Sequence, residues 1–186
     1  EIKEENKNAG KKLPKDKLKS LIFILLSVFL WYMSYNAVNS AFSRYSTHVL
    51  GLKDGSYATY MLVATVVAVI SYMPIGIISS KFGRKKVIMA GVIGLASSFL
   101  VCTFVTGGGA LLYILFGIVG ISWGAINVNS FPMAVEIASD GDEGRYTGYY
   151  YTFSMAAQVL TPVLSGVFLQ YVSYRSLFPY GVVFAA

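Results

Sequence analysis

The chain has 186 residues, of which 55% are hydrophobic and 13% charged, and its mean hydropathy is +0.60. A soluble domain carries about 25% charged residues, so this composition excludes an ordinary water-soluble fold and indicates a membrane protein. The net charge of +6 does not call for a nucleic-acid partner, because the basic residues lie in a tail and in short connections, where membrane topology puts them.

In chain order, residues 1–19 are rich in Lys, Glu and Asn and almost free of apolar side chains. Such a segment cannot bury enough surface to fold. It reads as a disordered cytoplasmic linker or tail whose lysines can touch anionic lipid. Residues 20–186 read as a transmembrane domain. A hydrocarbon core of about 30 Å needs about 20 apolar residues in a helix. The runs that meet this are 20–42, 57–79, 87–106, 110–133 and 146–172, and a sixth starts near 177 and is cut at 186. The first run follows a polar tail and is too long for a signal-peptide core. Both ends look cut, so the chain is expected to be a piece of a larger protein. Backbone groups in lipid must be satisfied within the segment, which requires helices, and the runs are far longer than barrel strands. The predicted fold is all-α: a membrane helical bundle of five complete spans and the start of a sixth.

Some residues invite chemistry and are read more simply. Cys102 is the one cysteine, inside an apolar run, and is a packing residue. His48 stands alone near the end of the first span and reads as a solvated loop residue. The triple glycine at 107–109 lacks the Lys-Ser/Thr of a phosphate loop and reads as a turn. Tyr57 and Tyr60 read as membrane-interface aromatics.

The charges set a direction. Lys3, Lys7, Lys11, Lys12, Lys15, Lys17 and Lys19 lie in the tail. Lys81, Arg84, Lys85 and Lys86 connect spans two and three, and Arg145 connects spans four and five. These twelve share one side, against Arg44, Lys53 and Arg175 on the other. Positive residues mark the cytoplasmic side, so the first residue and the 81–86 connection are predicted to be cytoplasmic, in a cell (inner) membrane.

The stretch "GIISSKFGRKK" (76–86) carries the most specific signal. Gly76 is read as a site of close helix approach and Gly83 as the positive-φ residue of a tight turn. Arg84, Lys85 and Lys86 hold that turn at the membrane surface. The order G-x-x-x-S-K-F-G-R-K-K, after the second span, resembles the loop motif of the major facilitator superfamily. The family usually has an aspartate where this chain has Ser80, so the charge relay attributed to that aspartate does not carry over. "EGRYTGYYYTFSMAAQ" (143–158) is similar to the Gly-Arg loop before the fifth helix of a facilitator half.

The charged tail resembles the family's central linker, and "TPVLSG" (161–166) differs from the glycine-rich signature of first-half drug antiporters. The resemblance therefore implies the second (C-terminal) half of a twelve-helix protein. "LPKDKLKSLIFILLSVFLWYMSYNAVNSAFSRYSTHVLG" (13–51) and "NVNSFPMAVE" (127–136) are similar to glycoside–cation and sucrose–proton symporter-like members. That implies a secondary active transporter of a sugar or glycoside. It also implies a coupling cation, proton or sodium, working through the missing half. A drug or metabolite antiporter, or a non-transporting membrane scaffold or sensor, remains an alternative. Gly76, Ser80, Gly83, Arg84, Lys85 and Arg145 would serve the loop motif and its gating.

No catalytic pair, metal-ligand spacing or cofactor motif is present in the sequence, so an enzyme is not expected. Polar residues inside spans are costly and usually face a cavity or another helix. Tyr32, Asn36, Asn39 and Ser43 share one helical face, with Tyr35 beside Asn39. Tyr151, Ser154, Gln158, Thr161 and Ser165 form a second stripe. Gly117, Gly120 and Gly124 make a smooth face leading to Asn127, with Trp123 beside it. Amides offer donors and acceptors without charge, and aromatic rings offer flat faces. The expected ligand of Tyr32, Tyr35, Asn36, Asn39, Trp123, Asn127 and Gln158 is thus a neutral polyhydroxyl solute. Hydrogen bonding between helices, at ~0.6 kcal/mol per bond, is the competing explanation. Glu136, Asp140, Asp142 and Glu143 read as an acidic loop cluster beside Arg145, with a gate salt bridge as the functional alternative.

Overall fold

The computed structural model describes residues 14–53, 55–137 and 142–186. The expectation for residues 1–13 of the tail lies outside these. The described residues contain six α-helices and no strand: α1 (Lys15–His48), α2 (Tyr57–Phe82), α3 (Arg84–Cys102), α4 (Ala110–Val135), α5 (Glu143–Tyr171) and α6 (Leu177–Ala185). The first five are long and apolar enough to cross a membrane.

α1 starts earlier than the apolar run. Residues 15–19, expected within the disordered tail, form its first turns. Pro14 caps it with φ already at −51°, Asp16 sits in the first turn, and the Ser20 hydroxyl donates to the Asp16 carbonyl at 3.0 Å. Proline before a helix and an acid in its first turn both favour initiation. The 34-residue helix is about 51 Å long, so it projects beyond a 30 Å hydrocarbon layer. His48 is in its last turn rather than in a loop, and its ring stacks on Tyr174 at 4.3 Å.

Small residues decide which helices meet. A Cβ built on Gly120 collides with the Ala64 carbonyl oxygen, and one on Gly91 lies 2.8 Å from the Ser122 oxygen. α4 is therefore gripped between α2 and α3, the packing that small residues allow in lipid. α1 packs against α5 on one side and α6 on the other, and α6 also reaches α3. The Ser34 hydroxyl ties α1 to α6 through the Gly181 carbonyl at 2.6 Å. The core is aromatic: Phe42 lies 4.6 Å from Phe116, and Tyr45 lies 4.8 Å from Phe178. Cys102 is buried in the same cluster, as a packing residue should be. Tyr60 corrects the interface reading. It is buried, its hydroxyl accepts from the Gly109 N–H at 3.2 Å, and it fastens the 107–109 turn.

The outward face is apolar instead. Met73 is 78% exposed, Ile70 69% and Val159 72%. A water-soluble monomer rarely shows contiguous apolar surface of this kind, whereas lipid or a second bundle requires it.

Candidate solute site and loop motif

The connection between α2 and α3 is one residue, Gly83, with φ +88° and ψ 138°. Its N–H closes the last turn of α2 on the Ser79 carbonyl at 2.9 Å. The positive φ expected from the motif is therefore real, and a side chain there is strained. Gly76 departs from expectation: nothing lies within 4 Å of a Cβ built on it. Close approaches to neighbouring helices are made instead at Gly91, Gly120 and Gly124, among others. Gly83→Ala should therefore cost about 1–2 kcal/mol and Gly76→Ala less than about 0.5, measured by unfolding of the purified protein.

Ser80 is exposed and its hydroxyl donates to the Ile77 carbonyl of its own helix at 2.7 Å. The charge interaction runs elsewhere. Arg84 Nη2 lies 2.7 Å from Glu136 Oε1, joining the start of α3 to the end of α4. Arg84 Nη1 is enclosed without a protein partner. Lys85 is exposed. Glu136, expected beside Arg145, is thus taken by Arg84. Arg145 donates through Nε to the Tyr149 hydroxyl at 2.8 Å, a bond that raises its pKa above the ordinary value. Asp140 of the expected acidic cluster lies outside the described residues.

Four of the residues expected to bind solute come together. The Tyr32 hydroxyl donates to Asn127 Oδ1 at 3.0 Å, from α1 to α4. It also lies 3.4 Å from the Tyr150 hydroxyl of α5, which in turn lies 2.8 Å from Ser130 Oγ. The Tyr35 ring stacks on the Trp123 indole at 4.0 Å with an interplanar angle of 1°. Tyr32 meets the same indole edge-on at 4.9 Å and 74°. Tyr72 of α2 lies next to the group: a Cβ on Gly124, beside Trp123, would stand 3.3 Å from its ring. Helices α1, α2, α4 and α5 thus converge on one patch of hydroxyls, an amide and flat rings.

The remaining three are placed differently. The Asn36 side chain donates to the Tyr32 carbonyl of its own helix at 2.8 Å. Gln158 is exposed and its Nε2 reaches only the Ser154 carbonyl at 3.4 Å. Asn39 is exposed, with no hydrogen bond among the described residues. Tyr150 and Ser130 belong to the cluster, and Tyr72 lies next to it, without having been expected there. A signal for Tyr150 existed: positions 150, 154, 157, 161 and 165 follow helical spacing, and all are buried. Within that second polar stripe, Ser154, Thr161 and Ser165 point into the bundle while Tyr151 and Gln158 do not.

The Major Facilitator Superfamily model matches residues 24–186. An uncharacterized MFS-type transporter of Mycobacterium tuberculosis, present in two strains, is 29% identical over 127 residues, 67% of this chain. That alignment covers 18% of the relatives' own length. The family consists of transporters rather than enzymes, and the relatives carry a transporter's name. With five helices of membrane-spanning length and a match over most of its residues, this integral membrane chain belongs to the Major Facilitator Superfamily.

Proposed function

We propose that the chain is the second (C-terminal) half of a twelve-helix secondary transporter that moves a small solute, a sugar or glycoside, together with a cation by alternating access. The observation that carries this reading is the uncharged cluster built on the Tyr32–Asn127 hydrogen bond and the Tyr35–Trp123 stack, where four helices meet. Hydroxyls and an amide match the donor and acceptor pattern of a polyhydroxyl ligand, and aromatic faces match its C–H faces. Asn36, Asn39 and Gln158 extend this surface along α1 and α5. Residues 1–19 link the two halves on the cytoplasmic side of a cell (inner) membrane, and residues 20–186 form the transmembrane domain. The twelve-to-three asymmetry of Lys and Arg supports that orientation. The one-residue turn at Gly83 keeps α2 and α3 moving together. The Arg84–Glu136 pair acts as a latch of the inner gate, and Gly76, Ser80, Lys85 and Arg145 serve the loop motif and its gating. The coupling carboxylate belongs to the first half.

Uptake by the intact gene product in proteoliposomes tests the proposal. Saturable sugar uptake that depends on a proton or sodium gradient is the expected outcome. Uptake of cationic drugs with no response to sugars would replace it with the antiporter reading. Asn39 gives a sharper arm. Its amide has no partner among the described residues, so Asn39→Ala should leave the melting temperature unchanged. One lost hydrogen bond should weaken solute binding about 2- to 12-fold.

A further inference from the structure

Toward the C-terminal ends of α1 and α5 lies a cavity of about 130 Å³, lined by Ser40, Ala41, Arg44, Pro162, Ser165 and Gly166 among others. It is distinct from the aromatic cluster: Arg44 is eight residues, about 12 Å, along α1 from Asn36. Its polar groups form an unbalanced set. Ser165 is 1% exposed, and its hydroxyl is enclosed without a hydrogen-bond partner in the protein. Thr161, one turn earlier on the same face, shows the usual alternative, since its hydroxyl donates to the Ala157 carbonyl. Ser40 has only a long bond, 3.3 Å, to the Ala37 carbonyl. Arg44 is exposed and makes no ion pair or hydrogen bond among the described residues. No lining residue is acidic.

A guanidinium brings five N–H donors and no acceptor. Adding the Ser165 hydroxyl makes a pocket of donors with one positive charge and no side-chain carboxylate to receive them. Arg44 and Ser40 are exposed while Ser165 is buried, so the pocket is half open. A bridging water satisfies Ser165 alone, whereas an anion accepts from the hydroxyl and pairs with the guanidinium as well. We propose that this α1–α5 cavity binds a small monovalent anion, a carboxylate or a halide, between the Arg44 guanidinium and the hydroxyls of Ser165 and Ser40. The half-open cavity takes acetate or chloride whole, whereas the polyhydroxyl chain of gluconate would have to stand outside it. The inference is independent of the sugar reading, because it rests on other residues and asks for the opposite ligand charge.

The test is thermal unfolding of the intact purified protein in sodium gluconate, chloride and acetate at one ionic strength. At ten times the dissociation constant, acetate or chloride should raise Tm by about 2–4 °C over gluconate. A larger response to acetate identifies a carboxylate held by the planar fork, and a larger response to chloride identifies a halide. Either supports the site. Arg44→Gln should abolish the difference between salts, and Arg44→Lys should keep a chloride response while losing any advantage of acetate. Ser165→Ala keeps the proposal falsifiable even where the arginine variants fold poorly. It removes a buried unpaired hydroxyl, so it should match or exceed the parent in gluconate and respond less to the anions. Equal Tm in all three salts, or a full anion response in Arg44→Gln or Ser165→Ala, overturns the proposal.

Discussion

Gly120→Ala is expected to destabilise the purified protein by about 2–3 kcal/mol, while Gly117→Ala, one turn earlier on the same helix, stabilises it. A Cβ on Gly120 collides with the Ala64 carbonyl oxygen and stands 3.1 Å from the Ala68 nitrogen. Both neighbours are backbone, so neither can rotate away, and α2 and α4 must separate along the most extensive helix pair of the bundle. Overpacking of this kind costs about 1–3 kcal/mol, and here it can be relieved only by moving a helix. Gly117 faces nothing within 4 Å, so alanine there contributes its intrinsic helix advantage of about 0.8–1 kcal/mol. Unfolding of both variants in detergent checks the pair. A cost at Gly117 equal to that at Gly120 would mean that a general loss of glycine, not the α2–α4 contact, sets the stability.

That contrast also explains which parts of the fold could be read from the sequence. Spans were legible because each needs about 20 apolar residues, and the turn at Gly83 because four basic residues and a glycine fill a connection between two such runs. Which face of a span meets a neighbour was much less legible. These helices are apolar nearly all round, since lipid outside and protein inside ask for the same side chains. Gly76 and Gly120 therefore look alike in sequence, although one faces open space and the other a backbone carbonyl. The partner of Arg84 was hidden for a related reason. Glu136 lies 52 positions away, and only the packing of α3 against α4 brings it to 2.7 Å. In the solute cluster, Tyr32, Tyr35, Trp123 and Asn127 were legible because polar and aromatic groups stand out in apolar spans. Tyr150 was masked by its neighbours: among three consecutive tyrosines, 149 and 151 are exposed and 150 is 2% exposed.

The second large effect is expected at Asn127. Its Oδ1 accepts from the Tyr32 hydroxyl at 3.0 Å, while its Nδ2 makes no hydrogen bond among the described residues. The tyrosine therefore orients the amide and leaves two donors for a ligand. Asn127→Leu keeps the side-chain volume close and deletes those donors. If they hold the solute, a ligand hydroxyl loses its partner at this half-buried amide, at about 1–3 kcal/mol, so affinity should fall roughly five- to a hundredfold. Stability should move by less than about 1 kcal/mol, because the Tyr32 hydroxyl still has Tyr150 at 3.4 Å. Tyr32→Phe should weaken binding less, since it only frees the amide to turn. The decisive quantity is the double variant. Where Tyr32 acts through Asn127, adding Tyr32→Phe to Asn127→Leu should cost no further affinity, and the two single effects should fail to add. Additive losses would assign each residue its own contact with the solute. Unaltered affinity in both single variants, with a drop in melting temperature, would reduce the cluster to a fastening between α1, α4 and α5.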